Sequence, residues 1–345
     1  METTTGTATT FYHSIPLQLI YFHHNNFNVV LAITIFLLGS VILVLNTLLC
    51  FYYYKKNAIV YEKLFFLLSA VDATTGLAAL LQSATFIGIL TGSETFVSVV
   101  LTVTYVISAV SFHVSVFYNV LLAVCRTVVL SCPFFKFKLR ILYCISAFYP
   151  VVMVMLAVYE VNSVYINYHS LIDKIMFLII SPLCGSELIH NYYPDFNDLG
   201  YYLLLLGIPF VLPSLICLVC CICATIYLMR ATKRDSARKK YRMKSSKTGE
   251  NLRRRRKTNS RATVTILQLS TAFFICNTLY FTTEFTLQAW NPGHIPHEMY
   301  LVYVAANFLP FLNSLINPVI LINRGTHLQK YIKRHLEMFS NSFSF

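Results

Sequence analysis

The chain is 345 residues long and 57% hydrophobic, with a mean hydropathy of +0.63. One soluble core cannot bury that much apolar surface, so the solvent for much of the chain is lipid. The net charge of +13 sits in blocks between long apolar runs, which excludes reading it as a nucleic-acid surface; it reflects membrane topology and attraction to anionic lipid.

Residues 1–26 lack a basic start and a long apolar stretch. No cleavable signal peptide is visible, so these residues read as a short extracellular tail and the first span serves as the signal. Seven apolar runs follow: Phe27–Tyr54, Leu64–Leu90, Phe96–Cys125, Ile141–Tyr159, Gly200–Met229, Thr263–Gln288 and Tyr300–Ile322. Each is long enough for the about 20 residues with which a helix crosses about 30 Å of hydrocarbon. The expected fold is an all-α membrane protein, a seven-transmembrane helix bundle over residues 27–322.

The loops orient it. Lys55, Lys56 and Lys63 occupy the first; Arg126, Lys136, Lys138 and Arg140 the second; the third, residues 230–261, holds 15 basic residues including Arg253–Arg256. Arg324, Lys330, Lys333 and Arg334 follow the last span. Of the 27 Lys and Arg residues only Lys174 falls on the opposite side, where nine of the 14 acids lie. By the positive-inside rule these loops are cytoplasmic and the N-terminus is outside, in a multi-pass membrane protein. The third loop, polar and rich in Ser and Thr, reads as extended or disordered in its middle and as a docking surface for an intracellular partner.

Residues 160–199 form the longest outer loop, with a greasy stretch at Ile175–Ile180 too short to span and bordered by Asp173 and Lys174. A lid over the bundle is expected there. Of ten Cys, only Cys184 lies in an outer loop, so it has no evident disulfide partner. The Cys217–Cys223 cluster has no accompanying His or acid, and small helix-facing residues rather than a metal site are expected.

Polar side chains inside a membrane are candidates for function. Asp72 is the one acid deep within a span, and a charge there costs at least about 2.5–3.5 kcal/mol, so it must face the bundle and find partners. Candidates are Asn46, Ser115, Asn313, Ser314 and Asn317. Asn313 and Asn317 share a helix face, and Pro318 frees a carbonyl one turn earlier, where a helix can bend. An acid with hydroxyl and amide oxygens is also hard-oxygen chemistry suited to a small cation; a purely structural hydrogen-bond knot is the other reading.

This spacing resembles the rhodopsin-like (class A) G protein-coupled receptors across all seven spans. Asn46 matches the family's span-one asparagine, and Leu68-Ser69-Ala70-Val71-Asp72 resembles its Leu-Ala-x-x-Asp. Cys125-Arg126-Thr127, with Leu130 and Pro133 downstream, is similar to the Asp-Arg-Tyr motif. Phe210 and Pro213 fit span five, and Asn313-Ser314-x-x-Asn317-Pro318-x-x-Leu321 resembles Asn-Ser-x-x-Asn-Pro-x-x-Tyr. The family's short amphipathic helix after the last span is matched by Leu328, Tyr331, Ile332, Leu336 and Phe339, within a cytoplasmic segment 323–345 that suits the inner interface.

The resemblance implies a receptor that senses an extracellular ligand in the outer half of the bundle and signals to a heterotrimeric G protein. The implied ligand-facing residues are Tyr105, Ser108, Phe112, His113, Asn277, Tyr280 and Glu284; Arg126, Pro133, Asn317 and Pro318 form the coupling switch; Asp72, Ser115, Asn313 and Asn317 form a sodium site. No enzymatic centre and no cofactor beyond that ion are expected. The chain also departs from the family. Asn277 and Leu279 stand where span six carries Trp and Pro, Leu101 where span three carries its cysteine, and Ser108 and Phe311 where amine receptors and opsins carry Asp and Lys. Cys125 replaces the acid beside Arg126, and Asn259 and Arg261 supply none from span six, which predicts basal signalling. The competing class, a transporter, channel or non-signalling binder, would show internal repeats or helices broken near the midplane; no repeat is apparent.

Overall fold

The computed structural model describes residues 25–55, 60–91, 94–131, 144–155, 157–158, 212–241, 247–289, 302, 305–306, 308–324 and 327–334, and among them there is helix and no strand. The helices are α1 (Asn25–Lys55), α2 (Val60–Thr91), α3 (Glu94–Ser131), α4 (Cys144–Met155), α5 (Leu212–Tyr241), α6 (Lys247–Ala289), α7 (Leu309–Arg324) and α8 (327–334). Five of them, α1, α2, α3, α5 and α6, are long and apolar enough to cross a membrane. The runs expected at Ile141–Tyr159 and Tyr300–Ile322 are represented by the shorter α4 and the 16-residue α7. The expected lid, Cys184, Pro133 and the first 24 residues lie outside the described residues.

The helices close into a bundle: α1 packs on α2, α2 on α3, α3 on α5 and α6, α6 on α7, and α7 returns to α1 and α2. Its polarity is inverted relative to a soluble core. Asn46 and Asp72 are fully buried, while Val30 and Val219 are 61% and 57% exposed. That pattern belongs to helices whose outer faces meet hydrocarbon and whose polar groups meet one another. Hydroxyls on the outer faces satisfy themselves locally, as Thr34, Ser40, Thr282 and Thr286 donate to carbonyls four residues back at 2.7–2.8 Å.

Glycine sets the tightest approach. A Cβ at Gly39 would lie 2.9 Å from the Gly76 carbonyl, and one at Gly76 would lie 2.7 Å from the Leu43 nitrogen. Only bare backbone fits, so α1 and α2 close at small residues as membrane helices do.

Two prolines leave carbonyls that neighbouring helices take up. Pro150 in α4 has no N–H for the Ser146 carbonyl, and the Tyr118 hydroxyl of α3 donates to that oxygen at 3.0 Å. Phe117 stacks on Tyr149 beside it, ring centroids 4.4 Å apart. Pro318 likewise frees the Ser314 carbonyl, which accepts from Asn46 Nδ2 of α1 at 3.0 Å.

Helix covers both flanks of the third basic segment, as α5 continues to Tyr241 and α6 begins at Lys247; its middle, residues 242–246, where extended or disordered chain is expected, lies outside the described residues. Lys, Arg and Ala are strong helix formers, and each segment grows from a helix already nucleated in the membrane. In α8, Leu328 and Ile332 are buried in the core with Tyr53, Phe65 and Leu321. Leu336 and Phe339 lie outside the described residues.

Candidate functional site

Asp72 lies midway along α2 with no solvent exposure. Its Oδ1 accepts from Ser115 Oγ of α3 at 3.1 Å and Ser314 Oγ of α7 at 3.0 Å; its Oδ2 accepts from Asn317 Nδ2 of α7 at 2.8 Å. Three helices therefore converge on one carboxylate. Hydrogen bonds to a charged group contribute about 1.5–3 kcal/mol each, which offsets much of what burying the acid costs. Asn46 does not reach Asp72. It bonds the Ile42 and Ser314 carbonyls and so fastens α1 to α7.

Several amide oxygens around this cluster stay without a donor. Asn46, Asn119, Asn313 and Asn317 each have a buried Oδ1 with no hydrogen-bond partner among the described residues. Unsatisfied buried acceptors cost about 1–3 kcal/mol apiece, so the interior is built to receive hydrogen-bond donors or a cation. Among the described residues no three His, Cys, Asp or Glu side chains converge. The donor set is thus hard oxygen, Asp72 with Ser115 and the amides of Asn313 and Asn317, which fits sodium in ligand type.

A cavity of about 20 Å³ opens beside the cluster, lined by Thr75, Phe112, Ser115, Asn277, Tyr280 and Asn313 among others. It has room for about one water or a bare monovalent ion. Three of the seven residues expected to face a ligand, Phe112, Asn277 and Tyr280, meet there, with the Phe112 and Tyr280 rings 5.9 Å apart. Tyr105 is buried and Ser108 half-buried on α3 away from this lining, and His113 sits edge-on to Phe112 at 5.7 Å. Glu284 lies on α6, its side chain outside the described residues.

Asn277 is 3% exposed, and its Nδ2 donates to Ser214 Oγ of α5 at 2.6 Å. The amide in place of a large ring is therefore tied to the neighbouring helix, while α6 runs unbroken through Leu279, whose side chain faces outward.

Arg126 is 4% exposed near the C-terminal end of α3. Its Nε donates to Thr263 Oγ1 of α6 at 2.9 Å, and Nη2 reaches the same oxygen. A neutral hydroxyl thus occupies the place where a carboxylate was sought in the sequence. Arg324 at the end of α7 adds a second tie, Nε to Gln268 Oε1 of α6 at 2.9 Å.

Thr263, Ser214 and Tyr118 are the partners that sequence reasoning missed. Ser214 had a signal, as the one hydroxyl in the apolar stretch Leu212–Val219. Comparison with protein-family models and with curated proteins finds no match for this chain.

Proposed function

We propose that the protein is a seven-span receptor of the rhodopsin-like kind, with its N-terminus outside the plasma membrane. It senses an extracellular ligand in the outer half of the bundle and signals to a heterotrimeric G protein on the basic side. The observation that carries this reading is the convergence of Ser115, Ser314 and Asn317 on Asp72, between the cavity at Asn277 and the Arg126–Thr263 contact. Asp72, Ser115, Ser314, Asn317 and Arg126 are residues that the motif resemblance singles out from separate parts of the chain, and they lie in one buried column.

Two features give that column a means of switching. The Asp72 cluster spans α2, α3 and α7, so a ligand or a cation that alters one contact alters the fit of all three helices. Arg126 ties the inner end of α3 to that of α6 through the Thr263 hydroxyl, a contact that separation of those ends must break. A ligand shifts such an equilibrium by its differential affinity for the two arrangements. Sodium bound by Asp72, Ser115, Asn313 and Asn317 would supply a positive charge that favours the closed arrangement.

The test is second-messenger output from cells expressing the chain with promiscuous G proteins. Ligand-free output above that of empty vector, abolished by Arg126→Ala at equal surface expression, supports the reading. Equal output from wild type, variant and vector, with no response across a chemical library, refutes it and leaves a transporter or a non-signalling binder.

A further inference from the structure

The inner ends of α1 and α8 meet through two tyrosines. The Tyr52 and Tyr331 rings lie 5.3 Å apart, and Tyr52 also packs edge-on against Tyr53 at 5.2 Å. Leu328 and Ile332 bury the adjoining face of α8 in the bundle core, and Tyr331 packs against the same cluster. This fixes which side of α8 remains outside: His327, Gln329, Lys330, Lys333 and Arg334 are all exposed.

Helical spacing then brings charges together. Residues three apart share a helix face. Lys55 follows Tyr52 by three on α1, and Arg334 follows Tyr331 by three on α8. By that spacing the exposed Lys55 and Arg334 each lie one turn beyond a ring of the tyrosine pair on their own helices, and Lys330, four before Arg334, shares its face. Tyr54, 80% exposed next to Lys55, has the ring chemistry that seeks the headgroup level of a bilayer. The described residues of α1 and α8 carry no acid; the nearest on an adjoining helix is Glu62 at the start of α2, whose charge acts on Tyr53.

We propose that Lys55, Lys330 and Arg334 form a binding notch for the phosphate-bearing headgroup of an anionic membrane lipid, with the Tyr52–Tyr331 pair as its floor. Charge complementarity and position commit the site to this occupant. Lys55 ends a helix apolar enough to span the bilayer, so the notch sits at headgroup depth on the side that the basic segments mark. Clusters of Lys and Arg directly beside a span recognise anionic lipid, and multiply charged headgroups above all. A lipid seated there also couples α8 to α1 from outside, complementing the apolar contact within. The placement on the inner leaflet rests on the topology proposed above, but the chemistry of the notch does not.

The full-length protein is purified and reconstituted in nanodiscs of phosphatidylcholine doped with either a bisphosphorylated phosphoinositide or phosphatidylserine, and bound lipid is counted by native mass spectrometry. The wild type retains the phosphoinositide in preference to phosphatidylcholine. Lys55→Gln and Arg334→Gln each weaken that retention about fivefold, and the pair about thirtyfold, as expected for about one thermal-scale contact per basic residue. The Lys55→Arg/Arg334→Lys pair, which keeps the charge, retains it. Arg230→Gln, an exposed cation on α5, leaves it unchanged. Equal lipid retention by wild type and the Gln pair overturns the site, and so does an equal loss in Arg230→Gln, which would mean diffuse attraction to the whole basic side. Neither result bears on second-messenger output, so the notch and the receptor reading fail separately.

Discussion

Tyr118→Phe removes one hydroxyl and keeps the ring that packs in the inner core. The oxygen it abandons is the Ser146 carbonyl, in a residue 4% exposed and one turn before Pro150, which has no N–H to offer. A typical buried hydrogen bond contributes about 0.5–1.5 kcal/mol net, but an acceptor left dry costs about 1–3 kcal/mol. The second figure applies here, because no backbone donor can replace the tyrosine. In a Pro150→Ala background the arithmetic changes. The alanine N–H closes the helical bond to Ser146, and Tyr118→Phe then costs less than about 1 kcal/mol. The expected coupling between the two sites is therefore about 1–2 kcal/mol, well above the few tenths seen for independent positions. Thermal unfolding in detergent, followed by a thiol-reactive dye that reports exposure of the buried free Cys125 and Cys217, measures all four proteins. The single Tyr118→Phe variant should melt a few degrees lower, at about 2 °C per kcal/mol. The same change should have little effect when the proline is already replaced. Equal losses in the two backgrounds would refute the claim that Tyr118 caps a proline-freed carbonyl.

Three further outcomes follow from the buried column. Thr263→Val removes the hydroxyl that Arg126 Nε and Nη2 both reach; at about 1.5–3 kcal/mol for a charged hydrogen bond, it should raise ligand-free second-messenger output at least several-fold, and unchanged output would mean the contact is no latch. Sodium should raise the melting point of the purified wild type relative to a bulky organic cation at equal ionic strength, and Asp72→Asn should lose that difference because it keeps the shape without the charge; the same response in both proteins would make Asp72 a structural partner only. Asn277→Leu should lower stability by about 1–3 kcal/mol by stranding Ser214 Oγ, with Ser214→Ala recovering part of the loss, and should alter evoked signalling more than surface expression; equal melting points for wild type and Asn277→Leu would argue against the hydrogen bond.

What could be seen in the sequence depended on how far each signal reached along the chain. Asp72 stood out because a lone acid in a span has to find partners, and hydroxyls and amides at helical spacing were at hand. The carbonyl freed by Pro318 was foreseeable from the proline alone, but its taker, Asn46, depends on how α1 is rotated against α7. The same rule applied to Pro150, where the taker, a tyrosine on α3, carried no signal of its own. Thr263 was invisible because the search at the inner end of α6 was for a carboxylate, and threonine is common in membrane helices. The ligand-facing set taken from resemblance fared unevenly: Phe112, Asn277 and Tyr280 share one cavity, whereas Tyr105, Ser108 and His113 do not line it. In the basic third segment, charge density pointed to disorder in the middle but said nothing of the flanks, each of which continues a helix whose nucleation the apolar span has already accomplished.

That continuity turns α6 into a rigid beam. Its 43 residues extend about 64 Å, and the 15 that precede the span at Ala262 project about 22 Å beyond it. Thr263, gripped by Arg126, sits where the projecting arm meets the bilayer, at the fulcrum. A tilt of about 10° there would carry the far tip by about 4 Å, given the helical rise, so a displacement hard to detect within the bundle becomes a large one for anything resting on the arm. The arm is already helical, so a partner that grips it meets less of the ordering cost of an unstructured loop.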